Sequence, residues 1–250
     1  MAPVREDPAA IRSIPDPVPY DARLRERLLA NLGRHTRRSV EVGERRHAAV
    51  ALVLVDSEPE HPKVLASRPD GSVVDQPRWM HDGLVSAAGG AAFLLCRRPL
   101  HLRRHAGQYA LPGGRLEPGE DVVTAALRET AEEVGVDLAP DAVLGLLDDY
   151  VTRSGFVMTP VVIWGGTVHL RPDPEEVMAV YHVGLHHLLR ADTPRFEQIP
   201  ESPRPVVSVP LGEEVVHAPT AAVLVQLGWL GLQGRSDPVH GFEQPLFAWR

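Results

Sequence analysis

Apolar residues at Leu24, Leu28, Leu29 and Leu32 follow the three-and-four spacing of one helix face, with Gly33 placed to end the helix. Residues 1 to about 20 carry several prolines and little periodicity, which predicts an extended arm. His47 to Val55 is a short run of mostly branched apolar residues bounded by charge, the pattern of a strand buried on both faces. Ala91 to Cys96 predicts a second such strand. Between them, residues 56–90 are polar, with turn signals at Asp70-Gly71 and Gly89-Gly90, and read as an insertion. Pro112 to Gly114 reads as a turn and is followed by a helix from about Asp121 to Val134. Strands are predicted over 142–152, 156–165 and 177–183, with a short helix near Leu185 to Leu189. Thr220 is placed to cap an almost wholly apolar helix ending near Leu232. Strands and helices alternate irregularly, which predicts an α/β fold with a mixed sheet between helices rather than a strict βαβ array.

Composition narrows the function. The 26 Lys and Arg residues stand against 33 Asp and Glu, a formal charge of -7, so no broad cationic surface for nucleic acid is expected. The single cysteine, Cys96, excludes an intramolecular disulfide and a cysteine-based zinc site. No run approaches the length of a membrane-spanning helix, and the N-terminus lacks a hydrophobic signal region, so a cytoplasmic protein is expected.

The stretch Gly114 to Val136, GRLEPGEDVVTAALRETAEEVGV, carries the chemistry. Asp121 sits where an N-cap belongs, Gly135 where the helix should stop, and Val123, Leu127, Thr130 and Val134 share one face. Glu129, Glu132 and Glu133 stand at i, i+3 and i+4, so their carboxylates converge. Arg128 offsets only part of their repulsion, and a hard divalent cation with oxygen ligands, Mg²⁺ or Mn²⁺, is the natural partner. Glu120, just before the helix, is a further candidate ligand or outer acceptor.

Gly114, Glu120, Arg128-Glu129, Glu132-Glu133 and Gly135-Val136 together resemble the Nudix box, with Thr130 where that family usually has an aliphatic residue. The resemblance implies an α/β/α sandwich, here with an N-terminal helical arm, and metal-dependent cleavage of a nucleoside diphosphate linked to another moiety. It implies that Glu129, Glu132 and Glu133 bind the metal, that Arg128 holds the glutamates in place, and that the Gly114 carbonyl can add a ligand. It divides the chain into an arm and helix over 1–45 and a hydrolase domain over 46–250.

Upstream, Leu94, Leu95, Arg98, Arg103, Gly107, Pro112, Gly113 and Gly114 occupy the positions of the extra signature of the coenzyme A pyrophosphatase branch, which His105 and Gln108 also fit. Cys96, Pro99 and Leu111 depart from it. This resemblance implies cleavage of coenzyme A or its thioesters into 3′,5′-ADP and (acyl-)phosphopantetheine. Arg98 and Arg103 are the expected phosphate contacts, because guanidinium forks grip phosphates bidentately. ADP-ribose, NADH or a nucleoside triphosphate are alternative substrates, and a non-catalytic nucleotide-sensing module is a further reading. Ser154-Gly155 is similar to a tight turn of the same branch, and Pro172 to Val177 to its acidic turn, where Glu175 or Glu176 would supply a late carboxylate. The partner is thus expected to be a small nucleotide derivative, with no nucleic acid or membrane, and homodimerisation is left open.

Overall fold

The computed structural model describes residues 14–58, 63–68, 70–73, 89–102 and 105–249. Its main sheet is built on β1 (Arg46–Ser57), which pairs in parallel with β8 (Phe156–Gly166) and antiparallel with β3 (Gly90–Arg97). On the β3 side follow β9 (Ala179–Gly184) and β2 (Lys63–Leu65); on the β8 side lies β6 (Val143–Leu146). Three short strands attach at the site end: β4 (Tyr109–Ala110) on β3, β5 (Gly113–Arg115) on β1 and β7 (Tyr150–Val151) on β8. The sheet is mixed, and β2 gives the region between β1 and β3 a strand of its own on the β9 edge.

The continuous apolar run of β1 has a direct cause: both of its faces are covered. Ala49, Ala51 and Val53 pack on one side with Ala125, Ala126 and Val134 of α2 (Val122–Val134). Leu52 and Leu54 point to the other side, into a core shared with Leu24, Leu28 and Leu32 of α1 (Ala22–Arg34) and with Leu224 of α3 (Thr220–Gln226). The α2 side is rich in alanine, and small side chains let the helix lie close to the sheet.

Several predicted boundaries are corrected. Gly33 does not end α1; the helix runs on to Arg34 and closes at His35, and Leu29 is 37% exposed rather than part of the buried stripe. Gly113 and Gly114 form strand β5 rather than a turn, and 142–152 splits into β6 and β7. Thr220 opens α3 without capping it: Pro219 holds the cap position and no side chain bonds the free N–H groups. The helix continues as a π-helical turn over Leu227–Leu232. Residues 190–219, to which the pattern assigned no element, hold a second antiparallel sheet of β10 (Arg195–Ile199), β11 (Ser202–Leu211) and β12 (Glu214–His217). Pro203, Pro205 and Pro210 within β11 obscure it, because proline normally signals a turn or an edge.

A buried carboxylate ties the two sheets together. Glu243, 1% exposed, accepts hydrogen bonds from Arg153, from Arg204 Nη2 at 2.7 Å, from Ser202 Oγ at 2.9 Å and from the Gln244 backbone at 2.9 Å. Burial alone would push its carboxyl up, but these donors outweigh it and pull the pKa down to about 2. A depressed carboxylate stabilises the fold above its unfolded pKa and loses that contribution as pH falls through the folded value. The stability advantage of wild type over Glu243→Gln should therefore be full at neutral pH. It should shrink by up to about 3 kcal/mol between roughly pH 4.5 and pH 2, read from denaturant unfolding at each pH.

Candidate metal centre and active site

Helix α2 fixes the phase of the acidic residues. The Asp121 side chain accepts from the Thr124 N–H at 2.8 Å, and Gly135 closes the other end in the left-handed conformation, donating back to the last turn. Within these caps Ala126, Thr130 and Glu133 follow the core-facing stripe, so Glu133 is carried into the interior at 4% exposure. Thr130 is tolerated there because its hydroxyl donates to the Ala126 carbonyl at 2.7 Å.

Strand β5 lies against these glutamates. The Gly113 N–H donates to Glu133 Oε2 at 3.2 Å. A Cβ on Gly113 would run into the Ala49 carbonyl and the backbone of Val50, and one on Gly114 would overlap the Glu129 carboxylate. Glycine at 113 lets β5 lie against β1, and glycine at 114 leaves room for the Glu129 carboxylate. The loop after β8 closes the third side: the Arg171 and Asp173 N–H groups donate to the carbonyls of Val134 and Glu133 at 2.9 and 3.0 Å, docking the acidic turn on the end of α2.

Carboxylate oxygens of Glu129, Glu133 and Glu176 consequently lie within 4.8 Å of one another. Of the two residues offered by the acidic turn, the structure brings Glu176 to this group, whereas Glu175 is exposed and near His101. Glu132 is not brought into it. Its side chain is 57% exposed and pairs with Arg128 at 2.8 Å. Arg128 braces the site, donating to Glu120 at 2.9 Å, Glu129 at 2.9 Å and the Arg115 carbonyl at 3.2 Å. Glu120 therefore holds the arginine rather than joining the three-carboxylate group.

The electrostatics identify what the group lacks. Burial, then the charges of Glu129 and Glu176, push Glu133 up to about 8, with the Gly113 N–H and Arg98 only partly opposing. Burial also raises Glu129, against the pull of Arg128. Three oxygen donors held close together with too little counter-charge fit a hard divalent cation. Beside them opens a cleft lobe of about 340 Å³, lined by Arg98, Tyr109, Gly113, Gly114, Phe156 and Met158. Arg98 Nε is buried without a hydrogen-bond partner among the described residues. His105 bonds Gln108 at 3.0 Å, while Arg103 lies outside the described residues.

Carboxylates converging where a helix meets a glycine strand, on a mixed sheet covered by helices, define an α/β protein with a centre suited to a hard cation. The chain belongs to the NUDIX family: the NUDIX domain profile matches residues 82–208, just over half of the chain. Nudix hydrolase 3 of Caenorhabditis elegans is 36% identical over 112 residues, covering 43% of this chain and 47% of that protein. The uncharacterised Nudix hydrolase NudL of Yersinia enterocolitica is 39% identical over 99 residues, covering 39% and 51%. The chain thus matches about half the length of these relatives. The MutT protein of Methanosarcina mazei aligns over 64% of this chain and 86% of its own, at 20% identity and a TM-score of 0.37.

Replacing Gly114 by alanine should displace Glu129 while leaving α2 capped and folded. Affinity for Mn²⁺, read by calorimetry, should fall at least about tenfold with little change in circular dichroism.

Proposed function

We propose that this chain hydrolyses the diphosphate of coenzyme A or its thioesters, giving 3′,5′-ADP and (acyl-)phosphopantetheine. Residues 46–250 act as the hydrolase domain, with 1–45 as an N-terminal arm and helix. The observation that carries the reading is the carboxylate group of Glu129, Glu133 and Glu176 held against Gly113 and Gly114, two glycines that line a cleft with Arg98, whose Nε has no hydrogen-bond partner among the described residues. The coenzyme A preference draws its support from the arginine- and glycine-bearing stretch Leu94 to Gly114.

In this reading Glu129, Glu133 and Glu176 hold the cation, and the Gly114 carbonyl adds a further oxygen. Bound Mg²⁺ or Mn²⁺ supplies Lewis acidity and neutralises the diphosphate. Arg128 is a positioning residue: through Glu120 on one side and Glu129 and Glu132 on the other, it fixes the carboxylates before substrate arrives. Arg98 grips a phosphoryl oxygen, and Arg103 is proposed as its companion. Attack in line with the leaving oxygen then depends mainly on positioning and charge stabilisation.

The test is a substrate panel of coenzyme A, ADP-ribose, NADH and a nucleoside triphosphate with Mg²⁺. Release of 3′,5′-ADP from coenzyme A is expected; cleavage of ADP-ribose with coenzyme A left intact overturns the preference, and hydrolysis of none overturns the enzyme reading. Glu133→Gln should lower turnover by at least about 10²-fold at unchanged melting temperature.

A further inference from the structure

The cleft does not end at the carboxylates. A second lobe of about 290 Å³ shares His105, Gln108, Tyr109, Pro219 and Thr220 with the first, so the two adjoin. Its far wall comes from Val215 and His217 on β12 and from Phe247 in the C-terminal turn Leu246–Trp249. These residues all lie beyond 82–208, the part matched by the family profile.

That wall is firmly built. The Glu243 N–H donates to the Pro205 carbonyl at 2.8 Å, and the Glu243 carboxylate is held by Arg153, Arg204 and Ser202. Gln244 accepts from the Arg153 N–H at 2.6 Å, and Trp249 donates to the Gln244 carbonyl at 2.8 Å. Phe247 stands edge-on to the His217 ring at 5.4 Å. The C-terminal segment is thereby fastened to the loop carrying Thr152 and Ser154, whose side chains line the same lobe.

The lining defines the ligand. Val215 and Phe247 are 38% and 57% exposed, an apolar surface facing the cleft. Among the described residues the fully charged side chains on the wall are Arg97 and Glu214, one of each sign, and the Arg97 guanidinium lies over the Tyr109 ring at 5.0 Å. Burial lowers the pKa of His217, and its Nδ1 is buried with no hydrogen-bond partner among the described residues. A further phosphate would meet Glu214, whereas an uncharged chain bearing amide or hydroxyl groups finds apolar contact at Val215 and Phe247 and neutral polar residues, Thr152, Ser154 and Thr220, in the same lobe.

We propose that this second lobe is a specificity subsite for the uncharged, hydrogen-bonding arm that the substrate carries on its diphosphate, with the C-terminal segment selecting the leaving moiety. The proposal rests on the hydrolase reading of the neighbouring carboxylates. Two probes isolate it: dephospho-coenzyme A, which is ADP bearing a long diamide arm, and the β-methyl ester of ADP, which lacks the arm. Val215→Trp, which narrows the lobe, and Phe247→Ala, which removes apolar contact, both alter exposed side chains. Each should raise KM for dephospho-coenzyme A about tenfold, leaving kcat for it and both constants for the methyl ester within about twofold. Binding of both probes by calorimetry, with Ca²⁺ replacing Mg²⁺, should show the same selective loss. Equal shifts for the two probes, no shift for either, or no binding of the long-armed probe to wild type overturns the subsite. Absence of turnover with selective binding intact upholds the subsite and overturns the hydrolase reading alone.

Discussion

A glutamate driven into the sheet–helix interface is the constraint on which the site depends. Glu133 occupies a core-facing position of α2, where an apolar residue would pack more favourably. Its only direct donor among the described residues is one backbone N–H from Gly113. Burying a charge so poorly compensated is unfavourable unless a counter-charge arrives. The surrounding features follow from that condition: the alanines that let α2 lie close to β1, the two glycines of β5, and the acidic turn docked on the end of the helix.

Glu243 shows the opposite solution to the same problem. Both glutamates are almost fully buried, yet one is pushed up to about 8 and the other pulled down to about 2. The difference lies in the partners. Glu243 is surrounded by two guanidiniums, a hydroxyl and a backbone N–H, all supplied by the protein, and it serves as a clasp between sheets. Glu133 is surrounded by other carboxylates. One arrangement is complete within the chain, while the other calls for a ligand.

Arg128 links these ideas. It neutralises the outer part of the acidic helix, leaving the inner carboxylates short of positive charge. The acidic groups thus separate by depth at this helix: Glu120, just before it, and Glu132 lie toward the arginine, Glu129 is shared, and Glu133 lies beneath. The spacing i, i+3, i+4 places all three helical glutamates on neighbouring faces, but it does not say which of them a nearby strand will bury.

Local patterns determined much of this protein. The apolar runs of β1 and β3, the caps of α2 at Asp121 and Gly135, and the mixed order of strands and helices were readable because each is set by neighbours in sequence. The acidic helix and its glycines were readable for the same reason. Tertiary structure decided the rest. It chose Glu176 over Glu175 and left Glu132 outside the carboxylate group, since that depends on how a turn some forty residues away docks on the end of α2. It made a second sheet from a proline-rich stretch, because the pairing of β11 with β10 and β12 outweighs the local turn preference. It also closed the cleft with residues from the C-terminal segment. Distant contacts of this kind leave no period in the sequence, and only packing brings them together.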